Sequence, residues 1–337
     1  MSEKITYSEY LELARNPETE DDVLLSYSRI QRGRGGFDFI IKPDPNKVEM
    51  TEVDTEFENA MQIGNGLARF RRQMRFARRK LFGSDLPVLV SEGDSWFQFP
   101  LLIREIIDHL DDDYLVWSVG AAGDTAENIV YGHAEYLEAL EKQKNDVRGF
   151  LFSAAGNDII GEDPKTGRAA LLDLLIDFNG DPNDIEGHID MAVLAEKMEF
   201  LKGAYIKVVE DVRATPGFDN LPIFIHGYDY PFPYPWGEDD PRHPIYAGKN
   251  QWLGKPLDQR QIHDHEQRRN IIKYLIDRLY LMLEEISADS NETGVWLVNF
   301  RGAMPEVHDW NDEIHGTTDG FFKVTTRLLR VLSEVIG

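Results

Sequence analysis

Short continuous runs of apolar residues alternate with longer amphipathic segments from residue 86 onward. The apolar runs span residues 87–90, 114–117, 149–152, 222–225 and 295–298. Runs of this length suit strands that are buried on both faces of a parallel sheet. The segments between and after them predict helices at 100–110, about 125–144, 191–212, 263–286 and 319–335. Strands that alternate with helices predict an α/β sandwich with right-handed crossovers.

Residues 1–83 lack this alternation and are interpreted as a separate N-terminal region ahead of a main domain at 84–337. Their pattern predicts helices at about 6–15 and 52–82, a glycine-rich turn at 33–36 and a strand at 37–42. No catalytic spacing occurs there. The region is therefore either a small partner-binding domain or an extension packed on the main domain, and it offers a candidate surface for a protein partner.

Residues 69–80 contain seven arginines and lysines among twelve positions. Their apolar members recur at spacings of three and four, which predicts a helix. Two interpretations remain open for this basic helix. Its arginines either pair with acidic neighbours or form a site for an anionic ligand or partner.

The overall composition narrows the classes of function. The chain has 337 residues, a formal net charge of -24 and no cysteine, so disulfides, thiolate zinc sites and cysteine nucleophiles are excluded. This charge disfavours binding to nucleic acid. No apolar stretch reaches the roughly 20 residues that cross a bilayer, and no secretory signal is visible, so we expect a cytoplasmic protein. His263 and His265 form an HxH pair that could bind a metal ion, but no third ligand occurs at the spacing of a metal site. We therefore expect neither a metal nor a cofactor.

Candidate site residues follow each predicted strand, where an open α/β sheet binds its ligands. In chain order they are Ser95, Gly123, Asn157, His226 and the pair Asp312 and His315. A serine hydroxyl needs a neighbouring base to become a nucleophile, and His315 can serve as that base. Asp312 can hold the imidazole in the required tautomer. The backbone amides of Ser95 and Gly123 and the side-chain amide of Asn157 can stabilise an oxyanion.

With these residues in this order, the chain resembles the SGNH hydrolases, also called the GDSL esterase and lipase family. Gly93-Asp94-Ser95, Gly123-Asp124-Thr125, Asn157-Asp158 and Asp312-Glu313-Ile314-His315 are similar to its four motifs. The resemblance covers about residues 86–337. It implies a flavodoxin-like three-layer α/β/α sandwich with five parallel strands. It also implies Ser95 as nucleophile, His315 as base oriented by Asp312, and an oxyanion hole from Ser95, Gly123 and Asn157.

Three departures from the family pattern leave the substrate open, namely Trp96 after the nucleophile, Ser118 before the glycine motif and Ala155 in place of a glycine. Asp94 and Trp96 flank Ser95, and His226 and Tyr228 follow the fourth strand. We therefore expect these four residues to contact the substrate, and for His226 a structural, hydrogen-bonding role is the open alternative. Tyr228 also opens an aromatic loop at 228–261, which either lines an acyl or sugar pocket or forms a packed lid or interface.

The expected reaction is hydrolysis of a carboxylic ester through an acyl-enzyme on Ser95. Candidate substrates are an acyl ester, a lysophospholipid, a thioester or an acetylated sugar. Two alternatives remain. The same site can transfer the acyl group to an alcohol other than water, or the chain can be a non-catalytic interaction module that acts through residues 1–83.

Overall fold

A parallel sheet forms the centre of the protein. The computed structural model describes residues 4–16, 19–32, 39–50, 65–99, 103–161, 168–248 and 252–337. In chain order the strands are β1 (Ile5–Thr6), β2 (Ser28–Arg32), β3 (Phe39–Pro43), β4 (Val48–Glu49), β5 (Val88–Gly93), β6 (Leu115–Ser118), β7 (Val147–Ser153), β8 (Ile223–His226) and β9 (Val295–Val298). Strands β5 to β9 form one sheet in the order β6-β5-β7-β8-β9, and all neighbours are parallel. This is a flavodoxin-like strand order, so the predicted fold class is confirmed.

Helices cover both faces of this sheet, because successive side chains of a strand point to opposite sides. The described helices are Tyr7–Arg15, Asp21–Ser26, Asn65–Leu81, Ile106–Leu110, Glu135–Gln143, Gly156–Ile160, Leu171–Leu174, Met191–Ala214, Pro244–Ala247, Gly254–Gln259, His265–Ile286, Ser290–Thr293 and Thr318–Val335. Phe150 and Phe152 of β7 pack in the cluster that includes the helices Met191–Ala214 and His265–Ile286. Leu151, between them, packs in the cluster of the C-terminal helix. Burial on both sides explains the continuous apolar runs of the sequence.

The predicted long crossover helices at 191–212, 263–286 and 319–335 are confirmed, with bounds that differ by one or two residues. The prediction of one continuous helix at 125–144 is wrong. This segment contains a π-helix, Asn128–His133, and the helix Glu135–Gln143. Between them Ala134 has the left-handed conformation, with φ 46°. An alanine carries no signal for such a break, so the apolar pattern alone could not show it. The start of the helix predicted at 100–110 is wrong for the described residues 103–105, which are not helical. The helix begins at Ile106, because the side chain of Glu105 accepts the backbone N–H of Ile107 at 2.7 Å and caps it. Residues 100–102 lie outside the described residues.

The N-terminal residues form a small core of their own. Tyr10, Leu24 and Ile41 are fully buried together, and β2 and β3 form an antiparallel pair. The predicted helix at 6–15 is confirmed as Tyr7–Arg15, and the predicted strand at 37–42 corresponds to β3. The predicted glycine-rich turn at 33–36 and residues 52–64 of the second predicted helix lie outside the described residues.

The basic helix, Asn65–Leu81, packs against β6 of the main sheet. Its cations pair with acids of the 84–337 region, namely Arg69 with Glu135, Arg72 with Glu105 and Asp108, Arg75 with Asp111 and Lys80 with Asp146. The interpretation that its arginines pair with acidic neighbours is therefore confirmed. No helix among the described residues is both long enough and apolar enough to cross a membrane.

Candidate active site

Ser95, His315 and Asp312 form a hydrogen-bonded line at the carboxyl edge of the sheet. His315 Nε2 lies 2.8 Å from Ser95 Oγ, and His315 Nδ1 lies 2.9 and 3.0 Å from the two carboxylate oxygens of Asp312. All three side chains are buried. With the proton on Nδ1, the imidazole can accept the serine proton at Nε2 while the carboxylate holds the ring in place.

The carboxylate of Asp312 is held by the loop that carries His315. Asp312 Oδ1 accepts the backbone N–H groups of Ile314 at 2.9 Å and of His315 at 2.8 Å. Burial alone would raise the pKa of Asp312, but the charge of His315 and these hydrogen bonds bring it below its ordinary value. Asp312 therefore stays ionised, as a group that stabilises an imidazolium must.

Ser95 lies in a tight turn directly after β5. Asp94 fixes this turn, because its Oδ1 accepts the backbone N–H of Trp96 at 3.1 Å and its backbone carbonyl accepts that of Phe97 at 3.0 Å. Gly93 is required at the end of the strand. A Cβ atom there would lie 2.8 Å from the backbone oxygen of Ser153. The close contact between β5 and β7 thus dictates the glycine of the first motif.

Two of the three predicted oxyanion donors, Ser95 and Asn157, line one cavity. Within the described residues, the backbone N–H groups of Ser95 and Gly123 have no hydrogen-bond acceptor. Gly123 has φ 91°, a conformation that favours glycine. Asn157 lines the same cavity as Ser95, and its Nδ2 donates to the backbone oxygen of Asp124 at 2.6 Å. Gly123 does not line that cavity, so its contact with an oxyanion stays a prediction.

Asp94 and Tyr228, both predicted to contact the substrate, also contact each other. The Tyr228 hydroxyl donates to Asp94 Oδ2 at 2.5 Å and accepts the backbone N–H of Gly156 at 2.8 Å. Burial raises the pKa of Asp94 to about 6 despite the hydrogen bond from Tyr228. Both residues line the cavity beside Ser95. They therefore join β5, β7 and β8 behind the nucleophile.

Trp96 connects the nucleophile to the loop of its base. The indole Nε1–H donates to the backbone oxygen of Ile314 at 3.0 Å, one residue before His315. The ring also packs edge-on against Tyr228 and Phe321, with centroids 5.2 and 5.3 Å away. Trp96 lines the cavity as well. The tryptophan that departs from the family pattern thus takes part in the architecture of the site.

His226 lies beside the cavity and is not part of its lining. Its ring packs against Phe97 and Phe300, with centroids 4.9 and 4.6 Å away, and its Nδ1 lies 2.7 Å from the backbone oxygen of Gly227. Burial lowers the pKa of His226 to about 4, so the ring is neutral near pH 7. These contacts are those of a packed core histidine, and a contact with substrate stays a prediction.

The cavity that opens at Ser95 is mostly apolar. The helix His265–Ile286 provides one wall, and the loop that ends in Leu253 provides another. The apolar side chains of the lining are Trp96, Ala155, Ile159, Ile160, Met198, Pro231, Leu253, Ile272, Leu275, Ile276, Leu279, Trp310 and Ile314. Few polar groups other than the site residues reach it, so its interior favours a hydrocarbon group over a hydroxylated one.

Glu313 and Arg242 are buried charged residues near the site whose contacts were not predicted from the sequence. Glu313, inside the DxxH motif, accepts hydrogen bonds from backbone N–H groups of the aromatic loop. Arg242 donates to the backbone oxygens of Phe232 at 2.6 Å and of Asp312 at 3.1 Å, and it pairs with Asp240. The sequence offered one signal for these two residues, a charged side chain close to aromatic ones. Their contacts could not be predicted, because they bind backbone groups, which residue types do not reveal.

No family model matches the sequence. Solved structures similar to this one include a lipase from a goat rumen metagenome, at 10% identity and a TM-score of 0.43, covering 72% of this chain and 96% of that one. An extracellular lipase from Streptomyces rimosus has 12% identity, a TM-score of 0.43 and coverage of 74% and 99%. Phospholipase A1 from Streptomyces albidoflavus has 15% identity and a TM-score of 0.42, and the match covers 74% of this chain and 99% of that one. The chain itself resembles the SGNH hydrolases through four motifs that its parallel sheet brings to one edge.

Proposed function

We propose that the chain is a serine hydrolase of the SGNH type that cleaves carboxylic esters. The observation that supports this most is the line from Ser95 Oγ through the imidazole of His315 to the carboxylate of Asp312. His315 takes the hydroxyl proton as Ser95 Oγ attacks the ester carbonyl carbon. When the C–O bond to the leaving alcohol breaks, His315 returns that proton to the alcohol and an acyl-enzyme remains.

Water then attacks the acyl-enzyme by the same route. His315 takes a proton from the water, and the bond between Ser95 Oγ and the acyl carbon breaks as the serine regains its proton. In both steps a negative charge develops on the former carbonyl oxygen. The backbone N–H groups of Ser95 and Gly123 and the side chain of Asn157 are the proposed donors to that oxygen.

The lining of the cavity supports an ester with a hydrocarbon acyl chain. Leu275, Ile276 and Leu279 of one helix face the same space as Met198 of another. Burial of each methylene of a chain against such a wall contributes about 0.8 kcal/mol. An acyl ester or a lysophospholipid therefore fits this cavity better than an acetylated sugar, whose hydroxyls would lose their water contacts without gaining partners.

Turnover of p-nitrophenyl acetate and octanoate by the wild-type protein and Ser95→Ala tests the reaction. Loss of the hydroxyl should lower kcat by at least about 10³-fold. Ser153→Ala is the matched control, because Ser153 is also buried at a strand end but contacts His226. Wild-type turnover by Ser95→Ala would exclude Ser95 as nucleophile. Labelling by a fluorophosphonate probe, lost only in Ser95→Ala, would support the same assignment independently.

An acyltransferase reaction at the same site is the second candidate, because the triad is buried and an acyl-enzyme there is partly shielded from water. Product analysis with added alcohols decides between the two reactions. A hydrolase gives mainly the free acid at every alcohol concentration. A transferase instead gives the new ester at millimolar alcohol, where water is in large excess.

A further inference from the structure

Glu313 occupies a position inside the catalytic loop that the reaction itself does not use. It stands between Asp312 and His315, its side chain is fully buried, and no ion pair is formed by it among the described residues. A buried carboxylate needs hydrogen-bond donors to remain in place. The identity of those donors shows what this residue holds.

All four donors are backbone N–H groups of the aromatic loop. Glu313 Oε1 accepts from Tyr234 at 2.9 Å and from Gly254 at 2.6 Å. Glu313 Oε2 accepts from Trp252 at 3.2 Å and from Leu253 at 3.1 Å. Each carboxylate oxygen thus receives two donors, so one side chain joins two separate segments of the loop to the catalytic loop.

Only an ionised carboxylate satisfies this arrangement. A glutamine would present an amide NH₂ group to two N–H donors, and two hydrogen bonds would be lost. An aspartate would keep the charge but is shorter by one methylene. The requirement is therefore for both the charge and the length of glutamate.

The residues held by Glu313 lie at the catalytic histidine and in the pocket wall. The ring of Trp252 packs edge-on against the imidazole of His315, with centroids 5.9 Å apart. Leu253, its neighbour, lines the apolar cavity beside Ser95. Glu313 thus fixes the position of this wall relative to the imidazole.

We propose that Glu313 is a positioning residue that sets the selectivity for acyl chains by holding the Leu253 wall at a fixed distance from His315. This inference rests on the proposed ester hydrolysis at Ser95. A looser wall would lose contacts with a long chain and would affect a two-carbon acetyl group less. Glu313→Gln should therefore lower kcat/KM for p-nitrophenyl octanoate about tenfold more than for the acetate.

Asp190→Asn is the matched control. Asp190 also accepts two backbone N–H groups, those of Ala192 and Val193 at 3.1 Å each, and none of these residues lines the cavity. The control should leave the ratio of octanoate to acetate turnover unchanged. Equal losses for both esters in Glu313→Gln, or no loss at all, would overturn the proposal. If the wild-type protein hydrolyses neither ester, the proposed function itself is overturned.

A measurement on the wild-type protein covers the case in which the variant does not fold. Burial raises the pKa of Glu313 to about 7, although its backbone donors and Arg242 lower it. The other charged groups near it are Asp312 and His315 in the same loop and Asp240, which pairs with Arg242. The chemical step is common to both esters and divides out of their ratio. Asp94, which also lines the cavity, has a lower pKa of about 6. The octanoate-to-acetate ratio should rise with pH around 7, and a flat ratio would overturn the proposal.

Discussion

Trp96 joins the nucleophile turn to the loop of the base through its indole N–H. Trp96→Phe keeps an aromatic ring but removes the N–H donor to the backbone oxygen of Ile314. The unpaired carbonyl and the freed loop should disturb the alignment of His315, so we expect kcat for p-nitrophenyl acetate to fall about tenfold. Steady-state kinetics measure this directly.

Tyr136→Phe provides the control for that change. Tyr136 is also buried, its hydroxyl donates to Asp211 Oδ2 at 2.9 Å, and neither residue lines the cavity. A loss of kcat as large as that of Trp96→Phe would mean that removal of any buried hydrogen-bond donor has this effect. The proposed alignment role of Trp96 would then be wrong.

Ala155 holds a backbone conformation that suits glycine. Its φ is 102°, and the family pattern has glycine at this position. A side chain in this region is strained, so Ala155→Gly should raise the free energy of unfolding by about 1 kcal/mol. Chemical denaturation measures the change. Ala154→Gly, at a neighbouring buried alanine without positive φ, should instead lower stability. A loss of stability in Ala155→Gly would contradict this account.

The residues of the triad could be predicted because each one follows a strand whose apolar run is visible in the sequence. Ser95 and His315 are 220 positions apart. The carboxyl ends of β5 and β9 share one edge of the sheet with β7 and β8 between them, and the loop after β9 brings His315 to Ser95. The roles of Trp96 and Glu313 could not be predicted in this way. Their hydrogen-bond partners are backbone groups. Every residue has a backbone C=O and every residue except proline has a backbone N–H, so residue types do not reveal which groups pair.

At the scale of elements, the sequence pattern of the basic helix predicts its secondary structure but not the residues that it contacts. Its periodicity predicts the helix, but only the fold shows that Arg72 is buried and reaches the segment after the nucleophile. Arg72 donates to the backbone oxygen of Phe97 at 2.7 Å and pairs with Glu105 and Asp108. Burial alone would lower the pKa of Arg72, yet these carboxylates raise it, so the guanidinium stays charged.

Arg72→Lys should therefore be costly for stability. A lysine lacks the planar fork that serves several acceptors at once, and it would leave buried carboxylates without a partner. We expect the free energy of unfolding to fall by roughly 2–4 kcal/mol. Arg75→Lys, at a partly exposed pair with Asp111, should cost less than about 1 kcal/mol. Urea denaturation of both variants tests this ranking, and equal losses would show that burial is not the deciding factor.

At the scale of the whole molecule, the pH dependence of stability reflects where the carboxyls lie. The chain has 60 acidic residues against 36 basic ones, so most carboxyls must face water. Glu92, at the end of β5, is buried beside Asp124 and Arg69. Burial, and then the charge of Asp124, raise the pKa of Glu92 to about 8 from an ordinary value of 4.5.

Glu92 should therefore make the protein less stable as the pH rises. Between about pH 4.5 and 8 the unfolded chain releases a proton that the folded protein retains, so the unfolded state is increasingly favoured. Glu92→Gln removes this effect because the amide stays neutral. At pH 8 it should raise the free energy of unfolding by roughly 3 kcal/mol, and at pH 5 it should change little. Urea denaturation at both pH values measures this difference. Glu285→Gln, at an exposed carboxylate paired with Lys202, is the control, and it should show no comparable gain at pH 8. The same change for Glu92→Gln at both pH values would mean that Glu92 is ionised in the folded protein throughout this range.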